Sequence, residues 1–480
     1  MTNLYQDTIV APATTPGTGA ISIIRLSGNN AFSIADAVVK LNSGTISTAK
    51  GYTIHYGKVY SVIPSEVEGS LLDEVLVSVF RAPHSYTGED SVEISTHASA
   101  YIVQELIALL LKAGARFAQP GEFTRRAFLN GKMDLAQAEA VADVISSSTA
   151  ASHRVAMNQL KGGFSQELAR LRSELLEMAS LLELELDFSE EDVEFANREQ
   201  LVNLLLSAKE HIDHLADSFH LGNMIKTGVP VAIVGPANAG KSTLLNALVG
   251  EERAIVTDIP GTTRDTLEET INLDGILFRF IDTAGIRESQ DTVEKLGIER
   301  SMRSLSKAEI VLLMLDGTAS SQELLSQLRY FYSRLDISAQ KLFVLLNKTD
   351  FADEKDINKN VTTINNFVIS NKYQSVIIPI SAKTQRGIPE LKKALFHAEV
   401  GLISHEDTTF VTNARHFEAL KNASAALADC HASLTHGIPS DLVAEDLRRA
   451  LQSINLILGS DIMNPEDILN NIFRNHCVGK

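Results

Sequence analysis

The chain has 480 residues, 44% of them hydrophobic and 21% charged, the make-up of a globular protein of about two to four domains. A formal charge of −17 argues against a surface given over to nucleic acid, so any RNA contact must be local or shared with a partner. Two cysteines, Cys430 and Cys477, rule out a disulfide framework and a four-cysteine zinc site, and no apolar stretch nears the roughly 18 residues of a membrane span.

The opening residues Met1 to Asp7 have neither the basic start and apolar core of a signal peptide nor the arginine richness of a transit peptide, so a cytoplasmic location without membrane attachment is expected. Short β-rich runs then alternate with helical ones. Thr8-Ile9-Val10 and Ile21 to Leu26 read as strands around the turn-rich Pro12 to Gly19, and Val75 to Phe80 and Ser91 to Ser95 as further strands. Ala31 to Leu41 and Ala100 to Leu111 read as amphipathic helices, giving an α+β domain over 1–130. From 131 to 226 the pattern is helical and strand-free. Leu168, Leu171, Leu175, Met178 and Leu182 recur at three- and four-residue steps, the seam of a helix packed on other helices, and the acidic run Glu190 to Glu194 reads as a solvated turn.

A different pattern fills 227–398. After the apolar run Val231 to Val234, Gly235-Pro236-Ala237-Asn238-Ala239-Gly240-Lys241-Ser242 fits G-x-x-x-x-G-K-[ST], and Thr243 to Leu248 opens a helix. Strand, glycine-rich turn and helix are the context in which this motif cradles phosphates on backbone N–H groups. Lys241 is expected at the β/γ-phosphates and the Ser242 hydroxyl on magnesium. Apolar runs at Leu277 to Ile281, Ile310 to Leu315, Leu342 to Leu346 and Val376 to Ile380 predict a parallel sheet covered on both faces. Three more elements follow such runs. Asp282-Thr283-Ala284-Gly285 places a carboxylate near the magnesium and an N–H near the γ-phosphate. Asn347-Lys348-Thr349-Asp350 supplies an acceptor-only carboxylate, Asp350, for the ring N–H and amine of guanine, a donor pair adenine lacks. Ser381-Ala382-Lys383 offers backbone N–H groups to the guanine oxygen. The nucleotide is therefore GTP.

The catalytic part departs from small signalling GTPases, whose water-orienting glutamine follows D-x-x-G, because Ile286 stands there. The loop Thr257-Asp258-Ile259-Pro260-Gly261-Thr262-Thr263 supplies Thr263 as a second magnesium ligand, and Asn238 is positioned to offer an amide oxygen to a monovalent cation beside the phosphates. Helical periodicity returns over 399–480. Phe417, Leu420, Leu427 and Leu434 keep one face with Cys430, a core thiol, and Leu447, Leu451, Ile454 and Leu458 keep another. The two helical segments read as one discontinuous domain with a Ras-like P-loop GTPase inserted, in an α/β multidomain chain.

Asp7 to Ala11, Ile24 to Gly28, Tyr86 to Asp90, Pro120 to Thr124, Ala127 to Asn130, Lys132 to Leu135, Gly261 to Asp265, the GTPase set and the terminal Cys477-Val478-Gly479-Lys480 are, taken together, specific. On these residues the chain resembles the tRNA modification GTPase MnmE (TrmE) family over nearly its full length. The resemblance implies a homodimer formed through the N-terminal domain and a flavin-dependent partner, MnmG (GidA), completing a heterotetramer. It implies tRNA as the substrate, with a carboxymethylaminomethyl or aminomethyl group installed at carbon 5 of the wobble uridine. The one-carbon unit comes from 5-formyl- or 5,10-methylene-tetrahydrofolate. It places folate on Arg25, Glu93, Lys132 and Lys480, potassium on Asn238, Thr257, Ile259 and Thr262, and the general base or water organiser on Glu294. Cys477 is a nucleophile, a neighbour of the one-carbon unit or a structural thiol. The terminal tetrapeptide has the spacing of a prenylation box, but Gly479 is not aliphatic and Lys480 is not a usual last residue. The rival reading is a regulatory GTPase of ribosome assembly with no covalent chemistry.

Overall fold

The computed structural model describes residues 7–61, 70–187, 198–250, 269–281, 305–335, 340–371, 374–399, 409–436, 438 and 440–460. Two compact units divide the chain, one made of 1–142, 159–172 and 452–480, the other of 143–158 and 173–451.

In the first unit a seven-stranded sheet has the order β3-β4-β5-β6-β2-β1-β7. Its strands are β1 (Ile9–Pro12), β2 (Gly19–Ser27), β3 (Val39–Leu41), β4 (Thr53–Tyr60), β5 (Leu71–Phe80), β6 (Ser91–Ala98) and β7 (Arg116–Phe117). All neighbours are antiparallel except β1 and β7. Alternation along β5 and β6 sends Val75, Val77, Val79, Val92 and Ile94 into a core shared with α1 (Ala31–Val38) and α2 (Ala100–Lys112). The helix predicted over Ala31 to Leu41 stops at Val38. Val39 and Leu41 pair instead with Val59 and Gly57, because alternate burial against β4 suits a β-branched residue better than another helical turn. The α+β character predicted here is observed, with β4 an additional strand whose polar alternation hid it.

The helices are α3 (Glu122–Leu129), α4 (Leu135–Ser146), α5 (Ala150–Leu160), α6 (Gly163–Asp187), α7 (Arg198–Asp217) and α8 (Phe219–Thr227). The α6 seam is real, since Leu168, Leu171, Leu175, Met178 and Leu182 are all buried. The acidic run Glu190 to Glu194 lies outside the described residues.

The second unit holds a six-stranded sheet of order β13-β12-β11-β8-β10-β9. These are β8 (Val229–Val234), β9 (Glu269–Leu273), β10 (Ile276–Phe280), β11 (Ile310–Asp316), β12 (Lys341–Asn347) and β13 (Ser375–Pro379). Ile310, Leu312 and Met314 of β11 enter the core under α9 (Lys241–Val249) and α12 (Ile388–Glu399). Val311, Leu313 and Leu315 enter the opposite one, under α10 (Ser321–Tyr332) and α11 (Glu354–Ser370). Burial on both faces is why these strands read as unbroken apolar runs. The parallel sheet predicted for this region is corrected at one edge: β9 and β10 form an antiparallel hairpin around Asp274-Gly275. β10 is the run read at Leu277 to Ile281 and lies parallel to β8, whereas the half-buried β9 alternates and gave no continuous run. In the same unit α13 (Ala414–Thr435) packs along α7, with Ser424 Oγ donating to Asp213 Oδ1 at 2.5 Å and Phe417 stacked on Phe219 at 4.6 Å. The last helix described is α14 (Ser440–Leu458), whose Leu447, Leu451, Ile454 and Leu458 are buried as predicted.

Candidate functional site

In the second unit, β8, β11, β12 and β13 run parallel, so their carboxyl ends share one edge, where open α/β sheets place their ligands. From β8 the chain turns through Gly235 to Gly240 into α9. Gly235 has φ +148°, and a Cβ there would lie 2.2 Å from the carbonyl oxygen of Met314. Gly240, with φ +101°, would put a Cβ 2.3 Å from Asn347 Nδ2. Both sites therefore demand glycine, on conformation and on space. Asn238 also sits at positive φ, +62°, a region asparagine tolerates better than most residues. Because α9 begins at Lys241, the first-turn N–H groups that lack intrahelical acceptors, and the positive end of the helix dipole, belong to this loop.

Lys241 Nζ lies within the turn, donating to the carbonyls of Gly235 at 3.0 Å and Pro236 at 2.8 Å. Burial pushes its pKa down, and an anionic phosphate is the partner that offsets such desolvation. Asn347, at the end of β12, donates from Nδ2 to Ala239 O at 2.7 Å and accepts at Oδ1 from Ala382 N at 2.9 Å. One buried side chain thus ties the phosphate turn to both base-reading segments. Thr349 Oγ1 donates to Ile380 O at 3.0 Å, and Ser381 Oγ donates to Asp350 Oδ1 at 2.8 Å, which sets the Asp350 carboxylate at the mouth of the site. Lys348 reaches Asp316 of β11, and Lys383 lies 5.5 Å over the ring of Phe351. Asn238, Ala239, Gly240, Lys241, Ser242 and Thr243 are thereby brought to the same sheet edge as Asn347 to Asp350 and Ser381 to Lys383. Thr257 to Thr263, Asp282 to Gly285, Glu294, Cys477 and Lys480 lie outside the described residues.

A second cluster stands in the N-terminal sheet. Arg25 and Glu93 are directly opposite on β2 and β6, with Arg25 Nε donating to Glu93 Oε1 at 2.8 Å. The guanidinium also lies 5.4 Å from the Tyr86 ring and 5.7 Å from the Phe123 ring. Lys132 Nζ donates to Pro83 O at 3.0 Å, so the loop from Pro83 to Tyr86 touches both cations. Burial raises the pKa of Tyr86, whose hydroxyl is hydrogen-bonded to Thr124 Oγ1 at 2.8 Å.

Behind this cluster is a network that sequence reasoning assigned no role. Arg126, 1% exposed, donates to Asp7 Oδ1 at 2.7 Å, to Glu122 Oε1 at 3.1 Å and to Glu89 Oε1 at 3.2 Å. Arg116 contributes a second guanidinium to Asp7 and Glu122, and Ser27 Oγ donates to Glu89 Oε2 at 2.7 Å. Asp7, Ser27, Glu89 and Glu122 fall in stretches that carry the resemblance, but the pairing of their carboxylates with Arg116 and Arg126 across such sequence distances is visible only in the fold.

Taken together, the phosphate loop, the base-reading pair of segments and the two-faced sheet define a P-loop GTP hydrolase carrying an α+β N-terminal domain and α-helical segments. A family model described as GTP-binding protein TrmE N-terminus matches residues 8–132, and one described as MnmE helical domain matches 135–477. The tRNA modification GTPase MnmE of Bacteroides thetaiotaomicron is 49% identical over 479 residues, covering 99% of this chain and 100% of that protein. Its namesake in Flavobacterium johnsoniae is 47% identical over 482 residues, covering 99% and 100%. The chain belongs to the MnmE family of GTPases.

Proposed function

We propose that this chain hydrolyses GTP to drive modification of carbon 5 of the wobble uridine in certain tRNAs, acting in the cytoplasm with a flavin-dependent partner of the MnmG kind. The observation that carries the reading is the coexistence, in one chain, of the guanine-reading phosphate site and a cation–carboxylate cluster on a separate sheet. A regulatory GTPase of ribosome assembly needs the first and has no use for the second.

At the nucleotide site, Lys241 neutralises the β/γ-phosphates, Asp350 reads the guanine edge, and Ser242 with Thr263 holds magnesium. Asn238, exposed at the turn of the loop, holds potassium together with Thr257, Ile259 and Thr262. A potassium ion there supplies positive charge where other GTPases use an arginine finger. Glu294 orients the attacking water, a role Ile286 cannot fill.

At the N-terminal cluster, Glu93 is suited to the paired donors of a pterin ring, and Arg25, Lys132 and Lys480 to the carboxylates of a folate tail. Arg25 Nε and Nη2 each lie 2.8 Å from Glu93 Oε1, which orients the carboxylate before any ligand arrives. Tetrahydrofolate supplies a one-carbon unit when bound. Dimerisation through this domain is supported by one apolar sheet face: Tyr56 and Leu76 are paired across β4 and β5, with Ile54 two residues along, and all three are exposed.

The direct test is nucleoside analysis of tRNA from a strain lacking this gene. The proposal expects wobble uridines without the carbon-5 substituent; tRNA identical to that of the parent, with altered ribosomal subunit profiles, would instead favour the assembly reading.

A further inference from the structure

The structure assigns Asp316 as a positioning residue for guanine recognition, holding Lys348 extended before the nucleotide arrives; this rests on the base-reading role given above to the Asn347 to Asp350 segment. Asp316 ends β11 and is paired in register with Asn347 at the end of β12. Its two carboxylate oxygens do different work. Oδ1 accepts from the Thr318 backbone N–H at 3.0 Å and from Thr318 Oγ1 at 2.7 Å, while Oδ2 accepts from Lys348 Nζ at 2.6 Å. The first pair fixes the carboxylate, and the second uses it.

Backbone geometry serves the same end. Lys348 has φ +66°, an uncommon conformation for a lysine, and Gly317 N donates to Asn347 O at 2.7 Å, which clamps the two strand ends together. The pair is partly shielded, with side-chain exposures of 33% for Lys348 and 25% for Asp316. Burial alone would raise the Asp316 carboxyl; hydrogen bonds from Lys348 and Thr318 outweigh it and hold the group below its ordinary value, so it stays charged at neutral pH.

The physical consequence is preorganisation. A lysine side chain carries substantial rotamer freedom, and a base that packs on its stem must otherwise order four torsions on binding. With Nζ anchored on Asp316, the methylene stem is laid out beforehand as one wall of the base site. A wall contacts the ring face, which guanine and hypoxanthine share; the edge, where the two differ by the exocyclic amine, is read by Asp350. Loss of Asp316 is therefore expected to weaken both nucleotides equally.

The experiment measures GDP and IDP affinity by calorimetry, with magnesium, on the full chain. Asp316→Asn should weaken both by the same factor, about five- to tenfold, with Asp316→Glu partly restoring it. In a Lys348→Ala background, Asp316→Asn should add less than about twofold, because the positioned group is gone. Equal losses with and without Lys348 would overturn the assignment and make Asp316 merely structural, as would unchanged affinity in the single variant. Asp350→Asn, run in parallel, should remove the preference for GDP over IDP. If that preference survives, the base-reading segment itself is misassigned and the inference falls with it.

Discussion

Asn347 Nδ2 donates to the carbonyl of Ala239 at 2.7 Å, so a residue of the base-reading motif holds the floor of the phosphate loop. Its Oδ1 accepts from the Ala382 N–H at 2.9 Å, and the residue is 4% exposed. Asn347→Ala leaves two buried backbone groups without partners and should cost about 2–4 kcal/mol of stability, with GDP affinity falling in parallel. Urea unfolding of the nucleotide-free protein checks this. A loss under about 0.5 kcal/mol would show that the bridge is dispensable.

The Arg126 network predicts how the N-terminal domain responds to acid. Burial raises the carboxyls of Asp7 and Glu122, but hydrogen bonds and charge from Arg116 and Arg126, with the Gln119 N–H on Glu122, outweigh it and hold both below their ordinary values of 3.8 and 4.5. Groups depressed in this way stabilise the fold above their unfolded pKa and lose that contribution as pH falls through the folded one. Stability should thus be flat from pH 7 to about 5 and fall steeply below about 4. Arg126→Met removes the buried guanidinium shared by Asp7, Glu89 and Glu122, leaving Glu122 only the guanidinium of Arg116, and should cost about 3–5 kcal/mol near neutrality, with a shallower acid limb. Thermal melts at several pH values measure both; an unchanged acid limb in the variant would mean that other carboxylates control it.

Much of this was legible in the sequence because continuous apolar runs and glycine spacing are local signals. The phosphate loop, the β11 and β12 strands and the α6 seam needed no tertiary information. The antiparallel edge strand β9 escaped because a half-buried strand alternates, and Val39 to Leu41 escaped because three residues carry no period. The ties that build the sites, Arg25 to Glu93 across 68 positions and Arg126 to Asp7 across 119, are consequences of strand register and helix docking, which local pattern does not encode.

If Asn238 helps to hold potassium in place of an arginine finger, phosphate release should be at least about tenfold faster in potassium than in sodium at equal ionic strength, because ion size decides the fit. Asn238→Ala should lose that dependence while still binding GDP. Equal rates of the unmodified protein in the two salts would rule the cation out.

Cys430 is fully buried, and burial, with the nearby Asp446 charge, pushes its thiol up to about 12. The thiol therefore stays protonated, and unreactive, at pH 8. In a Cys477→Ser variant, an aromatic disulfide reagent should detect no thiol in the native protein and one after unfolding in guanidinium. A rapidly reacting native thiol would place Cys430 outside the core.

The link from GTP hydrolysis to tRNA is tested most directly by the nucleoside composition of tRNA from a deletion strain carrying either the unmodified gene or Lys241→Ala, with both proteins at equal abundance. The unmodified gene should restore the carbon-5 substituent on wobble uridine, and Lys241→Ala should leave those uridines bare. Full modification with a variant that no longer releases phosphate from GTP would contradict the account.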